Sequence, residues 1–271
     1  MEFFEAFSHH PFLQRALLAG LLASLGCGMI GTFVVVKRIS FLAGGIAHAV
    51  LGGMGVAHFM GRDPLLGALV ASIVAALVIG WVNLRWRERE DTLIGALWAV
   101  GMAIGIVFIA QTPGYNVDLL SYLFGNILMV KQEHLQLMVM LDAGIALLMF
   151  LFFKQFVAVS FDEEFARIRG IRVTSFYLLL LCLVALTVVL LVQVVGIILV
   201  IALLTLPAAI AGQYVKTLRR MMVLAILLGG MFTTSGLYLS FQWDLPTGAI
   251  IILTAGTVYL LSTLLTSVLR R

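Results

Sequence analysis

VTSFYLLLLCLVALTVVLLVQVVGIILVIALLTLPAAIAGQY, residues 173–214, runs for 42 residues without one Asp, Glu, Lys or Arg. At 1.5 Å rise, one helix of that length would measure ~63 Å, about twice the ~30 Å hydrocarbon core of a bilayer. The stretch therefore reads as two membrane spans, with Gln193 and Gly196 marking the break. Working outward from it, the same ruler finds seven more runs. Leu13–Val36 ends at Lys37-Arg38, and Leu42–Met60 stops at Gly61-Arg62-Asp63-Pro64. Leu65–Asn83 is closed by the charged run from Arg85 to Asp91, and Leu93–Ala110 by the turn signal around Pro113-Gly114. Leu135–Phe153, Met221–Phe241 and Thr247–Leu269 complete the set. The predicted fold class is an all-α polytopic membrane protein of about nine transmembrane helices, a single transmembrane domain over 1–271.

Composition agrees. The 271 residues are 62% hydrophobic and 11% charged, against about 45–50% and about 25% in soluble domains. A soluble globular chain and a disordered one are both excluded, and the lipid bilayer is the first partner. The net charge of +4 does not make a nucleic-acid surface, because the basic residues sit in short clusters between apolar runs. Cys27 and Cys182 lie inside such runs with no CxxC spacing and read as small lipid- or core-facing residues. The opening MEFFEAFSHHPF lacks the positive start of a signal peptide.

Charge also orients the spans. Val117–Val130 is short for a crossing and carries Asp118 and Asn126. If it does not cross, five clusters fall on one face: Lys37/Arg38, Arg85/Arg87/Arg89, Arg167/Arg169/Arg172, Lys216/Arg219/Arg220 and Arg270/Arg271. The opposite connections then keep only Arg62 and Lys131. By the positive-inside rule the expectation is a multi-pass protein of the cell (inner) membrane. Its N-terminus is outside, its C-terminus is cytoplasmic, and 117–130 is a short non-crossing outer helix. The one hydrophilic loop of any size, 154–172, is then cytoplasmic.

Few residues in such a chain can carry chemistry. None of its 26 glycines precedes Lys and then Ser or Thr, so the phosphate-cradling GxxxxGK[ST] loop is absent. Any ATP-driven work belongs to a partner. In SFDEEFARIRGIRV, residues 160–173, Asp162, Glu163 and Glu164 favour the first turn of a short helix. Gly170 suits its C-terminal cap, and Phe165 and Ile168 share an apolar side. This is either a solvated interfacial helix or one that docks on a cytoplasmic motor.

His48, in LAGGIAHAVLGGMG, is an ionisable group inside a span, where such groups usually face a cavity or a partner. Gly44, Gly45, Gly52 and Gly55 share its face at helical spacing. That bare face either admits a neighbouring helix closely or lines a path. Neutral imidazole suits zinc and other divalent transition metals; the plain alternative is a histidine hydrogen-bonded across a tight helix contact. Asp142 is the one acid near the middle of a span. It reads as a carboxylate ligand, a proton-linked group, or a locally paired acid. His9, His10 and His58 are expected near the outer surface and His134 at an interface. Pro207 frees the carbonyl of Leu203 and is expected to kink its span, which suits a gate or plain packing.

Four segments together resemble one family. KRISFLAGGIAHAVLGG (37–53), VDLLSYLFGNIL (117–128), SFDEEFARIRGI (160–171) and VGIILVIALLTLPAAIAG (195–212) fall in the order found in permease subunits of zinc/manganese ABC importers. The resemblance covers about residues 12–268. It implies a homodimeric permease of the type II importer architecture, a separate cytoplasmic ATPase subunit that alone handles ATP, and an extracytoplasmic metal-binding protein. It implies no permanent cofactor and no catalysis on this chain. Segment 160–171 would be the coupling helix, and 117–130, with Gly125 and Asn126, a short outer gating helix. Relatives often carry Asp four residues before the intramembrane His, where this chain has Gly44. Losing that hard oxygen donor tilts the expected cargo towards Zn²⁺ over Mn²⁺ or Fe²⁺. A different class, a proton-coupled secondary transporter using His48 and Asp142, would usually show inverted repeats, and the sequence has no evident repeat. An organic-cofactor importer of the same architecture is the third reading, and the motifs point away from it.

Overall fold

The computed structural model describes residues 7–85, 90–112, 125 and 127–269. Its long helices are α1 (Pro11–Val36), α2 (Ser40–Phe59), α3 (Pro64–Arg85), α4 (Glu90–Ala110) and α5 (Gln132–Phe161). A short α6 (Glu163–Ile168) follows, then α7 (Val173–Val195), α8 (Ile197–Tyr214), α9 (Leu218–Trp243) and α10 (Thr247–Leu269). Eight of these are long and apolar enough to cross a membrane. The ninth long helix, α7, has 23 residues and is apolar through Val173–Val189. The span boundaries expected from hydropathy are reproduced within a few residues, except in one place.

That place is the expected hydrophilic loop 154–172. The fifth span does not stop at Phe153; α5 runs on to Phe161, with one non-helical residue at Phe152 (φ −115°, ψ 18°). Lys154 and Gln155 interrupt the hydropathy but not the buried stripe. Phe156 and Val159 are buried, and Phe152 and Phe156 set their rings edge-on to Phe176, at 5.5 and 5.7 Å. Aromatic packing thus carries the helix beyond the apolar run.

The predicted break in the 173–214 stretch lies at Gly196, whose φ of +80° costs a side chain-bearing residue dearly and glycine little. At the turn before α3, Asp63 Oδ1 accepts from the Leu65 amide at 2.9 Å, and Pro64 takes the first helical position, where its missing N–H is not needed. Trp243 ends α9, and Asp244 follows in the left-handed region. Ser240 Oγ closes that turn, donating to Leu245 O and meeting Thr247 Oγ1.

By contacts the chain forms two compact units that interleave along the sequence. One comprises Met1–Val35, Leu120–Leu147 and Leu190–Arg271; the other Val36–Leu119 and Leu148–Val189. In the first, α8, α9 and α10 pack on one another, and α1 approaches the backbone of α8 through Gly31 and of α9 through Gly28. In the second, α2 packs on both α3 and α4. Cys27 and Cys182 are free thiols, Cys27 buried and Cys182 half-buried.

Candidate functional site: the His48 seam and the coupling corner

His48 lies on α2 in the second unit, 8% exposed. Its Nδ1 sits 2.9 Å from the carbonyl oxygen of Gly44, one turn back. A carbonyl can only accept, so Nδ1 carries the proton, and in the neutral ring Nε2 keeps its lone pair. The ring stacks on Trp98 of α4, centroids 3.9 Å apart and planes tilted by 30°. Trp98 in turn directs its Nε1–H to the Met102 sulfur at 3.2 Å.

The glycine face that the sequence left open between path and packing is a packing face in this structure. A Cβ on Gly52 would stand 2.7 Å from the carbonyl of Gly101, and one on Gly55 2.7 Å from that of Gly105. Gly101 and Gly105 are themselves one turn apart on α4, so two bare stripes meet backbone to backbone, as small-xxx-small contacts do in membranes. Gly45 fits under the side chain of Ile94, and Gly53 meets the backbone of Gly67 of α3. The sequence reading did not single out Trp98 or the Gly101/Gly105 pair; the G-x-x-x-G spacing was the signal that could have found them.

Asp142 is buried at 6% exposure on the part of α5 that belongs to the first unit. Among the described residues its Oδ2 has no hydrogen-bond partner. His48 and Asp142 thus fall in different units. Among the described residues no three His, Cys, Asp or Glu side chains gather as a metal site. His9 and His10 are exposed. Pro207 is buried mid-way along α8, which continues helically through it. Gly125, with φ +63°, lies against the backbone of Val195 and Gly196, at the break between α7 and α8. Asn126 falls outside the described residues, as do 117–124, Arg87, Arg89, Arg270 and Arg271.

Elsewhere in the second unit, the segment expected to couple to a motor is more compact than the sequence suggests. Its helix is α6 alone, six residues rather than the twelve of 160–171. Asp162 is not in its first turn but is its N-cap: extended, with Oδ1 accepting from the Phe165 amide at 2.9 Å. Glu163 and Glu164 occupy the first turn, where the helix dipole favours them. At the far end Gly170, φ +75°, allows its own amide to reach Arg167 O and that of Ile171 to reach Ala166 O. Only Ala166 of the helix is buried; Phe165 and Ile168 are 49% and 84% exposed. Beside the helix opens a polar cavity of about 580 Å³, lined in part by Lys37, Arg38, Asp91, Ser160, Glu163 and Arg167.

The comparisons with known proteins fit this layout. An uncharacterized membrane protein of Synechocystis sp. is 50% identical over 93% of this chain and 90% of its own length. The manganese transport system membrane protein MntC of Halalkalibacterium halodurans is 35% identical over 96% of this chain and 89% of its own. Among solved structures, PsaBC from Streptococcus pneumoniae in complex with Fab superposes with a TM-score of 0.87 at 33% identity, over 96% of this chain and 94% of that one. Residues 9–266 match the ABC 3 transport family. On that match, and with long apolar helices throughout the described residues, the chain belongs to the ABC 3 transport family, the permease family its sequence motifs resemble.

Proposed function

We propose that this chain is the permease subunit of an ATP-binding-cassette importer that moves a divalent transition metal, Zn²⁺, into the cytoplasm. It works as a homodimer with a cytoplasmic ATPase subunit and an extracytoplasmic metal-binding protein, in the inner membrane, N-terminus outside and C-terminus inside. The observation that carries the choice of metal is the His48 ring. Its Nδ1–H is committed to Gly44 O, so Nε2 is an imidazole donor, and Gly44 offers no carboxylate beside it. An imidazole without a hard oxygen partner favours zinc over manganese. The ring is stacked against Trp98, so an ion reaches Nε2 when α2 and α4 part at that level, and the stack re-forms behind it. Phe165 and Ile168, exposed on α6, are the apolar contact offered to the ATPase.

A second reading, manganese as cargo, is favoured by the name of the Halalkalibacterium halodurans relative. Both are tested by reconstituting the permease with its ATPase and binding protein and measuring ATP-dependent uptake of Zn²⁺ and Mn²⁺. His48→Phe keeps an aromatic ring against Trp98 but has no ring nitrogen. It should lower Zn²⁺ uptake about tenfold or more while the complex assembles, an inner-sphere donor being needed to cross a ~30 Å apolar slab. Wild-type Zn²⁺ uptake by His48→Phe would make the residue a packing element and overturn the ligand role. Gly44→Asp restores a carboxylate one turn away and should shift preference towards Mn²⁺. Mn²⁺ uptake exceeding Zn²⁺ uptake in the unaltered protein would decide for the second reading.

A further inference from the structure

Lys37 closes the first helix in the sequence, and its place in the motif KRIS suggests nothing more than a charge at the membrane edge. In the structure its side chain turns inward and is only 10% exposed. One ammonium group meets three elements distant in sequence. Nζ donates to Val159 O near the end of α5 at 2.9 Å, and to Glu163 Oε1 at the start of α6 at 3.1 Å. It also stands 5.1 Å above the ring of Tyr177 on α7, a residue 3% exposed. The backbone of Lys37 belongs to the turn that leads into α2, and the next residue, Arg38, holds a left-handed φ of +60°. The turn, α6 and this part of α5 and α7 all lie in the second unit.

These contacts have a mechanical reading. Alone, α6 is too short to be stable, since nucleating a helix costs more than one turn returns. It contributes one buried side chain, Ala166, and is otherwise held by its caps and by Glu163. Glu163 leads to Lys37, and Lys37 leads directly into the helix that carries His48. A charge-assisted hydrogen bond in a partly buried place is directional and less screened than a surface pair. We infer that Lys37 is the positioning residue that ties the coupling helix to the root of α2, so that displacement of α6 by the ATPase is delivered to the His48 helix through the Lys37–Glu163 pair. The inference rests on the proposed importer function for what moves α6, but the tie itself does not.

Two measurements separate the tie from that function. The first uses the permease alone in lipid nanodiscs. Lys37→Met keeps the aliphatic stem and removes the charge. It should speed amide hydrogen exchange across 163–168 by about tenfold while exchange in α9 stays unchanged, as expected for local opening of a segment that has lost one tether. Glu163→Gln, altered at a more exposed position, should give the same pattern and serves if Lys37→Met does not fold. The second uses the assembled importer. Both variants should retain the ATPase and hydrolyse ATP, with metal transported per ATP falling about tenfold; Lys37→Met combined with Glu163→Gln should lose little more than the worse single variant, as a double-mutant cycle requires of a direct interaction. Unchanged exchange in 163–168, or losses that simply add in the double variant, would overturn the tie. Loosened exchange with wild-type uptake per ATP would overturn transmission. If the unaltered protein shows no ATP-driven uptake, the importer reading falls, and the exchange experiment alone decides the tie.

Discussion

Two regions of the second unit are built on opposite principles. At the seam between α2 and α4, contact is made by absence: Gly52 and Gly55 lie against Gly101 and Gly105, and the Nδ1 of His48 is engaged within its own helix. At the coupling corner, contact is made by charge: Lys37 holds α5, α6 and α7 with two hydrogen bonds and a cation–π contact. A glycine seam has no tolerance, because every added atom meets backbone, whereas a polar corner can rearrange its partners. The lesson is one of division: the seam sets how close two helices stand, and the corner joins elements far apart in sequence.

The largest expected effect tests the seam. Gly101→Leu would push a side chain into the backbone at Ala49, whose Cα stands 2.7 Å from an added Cβ. Overpacking a close-packed site costs about 1–3 kcal/mol, and a backbone neighbour cannot swing away, so the upper end applies. Thermal unfolding in detergent should show a strongly destabilised or unrecoverable protein. Gly95→Ala and Gly144→Ala, where an added Cβ meets nothing within 4 Å, should stay within about 1 kcal/mol of the parent. Equal losses at all three positions would mean that the seam is not specially tight.

The same contrast explains what was legible in the sequence. The long apolar helices and most of their boundaries followed from hydropathy, because a bilayer imposes a fixed length on every apolar run. The caps of α6 were partly legible, since Gly170 and the acidic start carry local chemistry; Asp162 was placed one position too far into the helix. The extent of α5 was not, because Phe156 earns its helix from Phe176, a partner 20 positions away. His48 was found for its chemistry, but a glycine face looks the same whether water or another helix lies against it. The answer lay in Gly101 and Gly105, fifty residues on. Lys37 was invisible as a hub: its partners Val159, Glu163 and Tyr177 are all long-range, and a lysine after an apolar run ordinarily means only an edge.

Intermediate in size is the effect at the exposed side of α6. Phe165→Asp with Ile168→Asp replaces the apolar side chains offered to the ATPase without touching the Lys37–Glu163 pair. Both positions are exposed, so the permease should fold with its parent stability. Interface anchors commonly contribute about 2 kcal/mol or more, and the double variant should therefore lose the ATPase on co-purification and most ATP-driven uptake. An intact complex with full uptake would remove α6 from the motor contact and leave the polar corner as a purely internal device.

The smallest effect is at Asp162, and it asks whether the corner's local chemistry can be separated from its long-range tie. The carboxylate accepts the Phe165 amide at 2.9 Å and lies at the positive end of a six-residue helix. Replacing such a cap by Ala costs about 1 kcal/mol in typical helices. Here the loss should stay local, because the ion pair from Lys37 to Glu163 still pins the first turn. Asp162→Ala should therefore speed exchange of the Phe165 amide by about fivefold, with little change in the melting temperature. Asp162→Asn keeps an acceptor oxygen and should recover most of that protection, since Asn and Asp cap comparably. Combined with Lys37→Met, the loss should exceed the sum of the two single effects, since each tether limits the opening that the other would otherwise suffer. Strict additivity would mean that cap and clamp hold α6 independently, and the corner would then be two adjacent contacts rather than one joint.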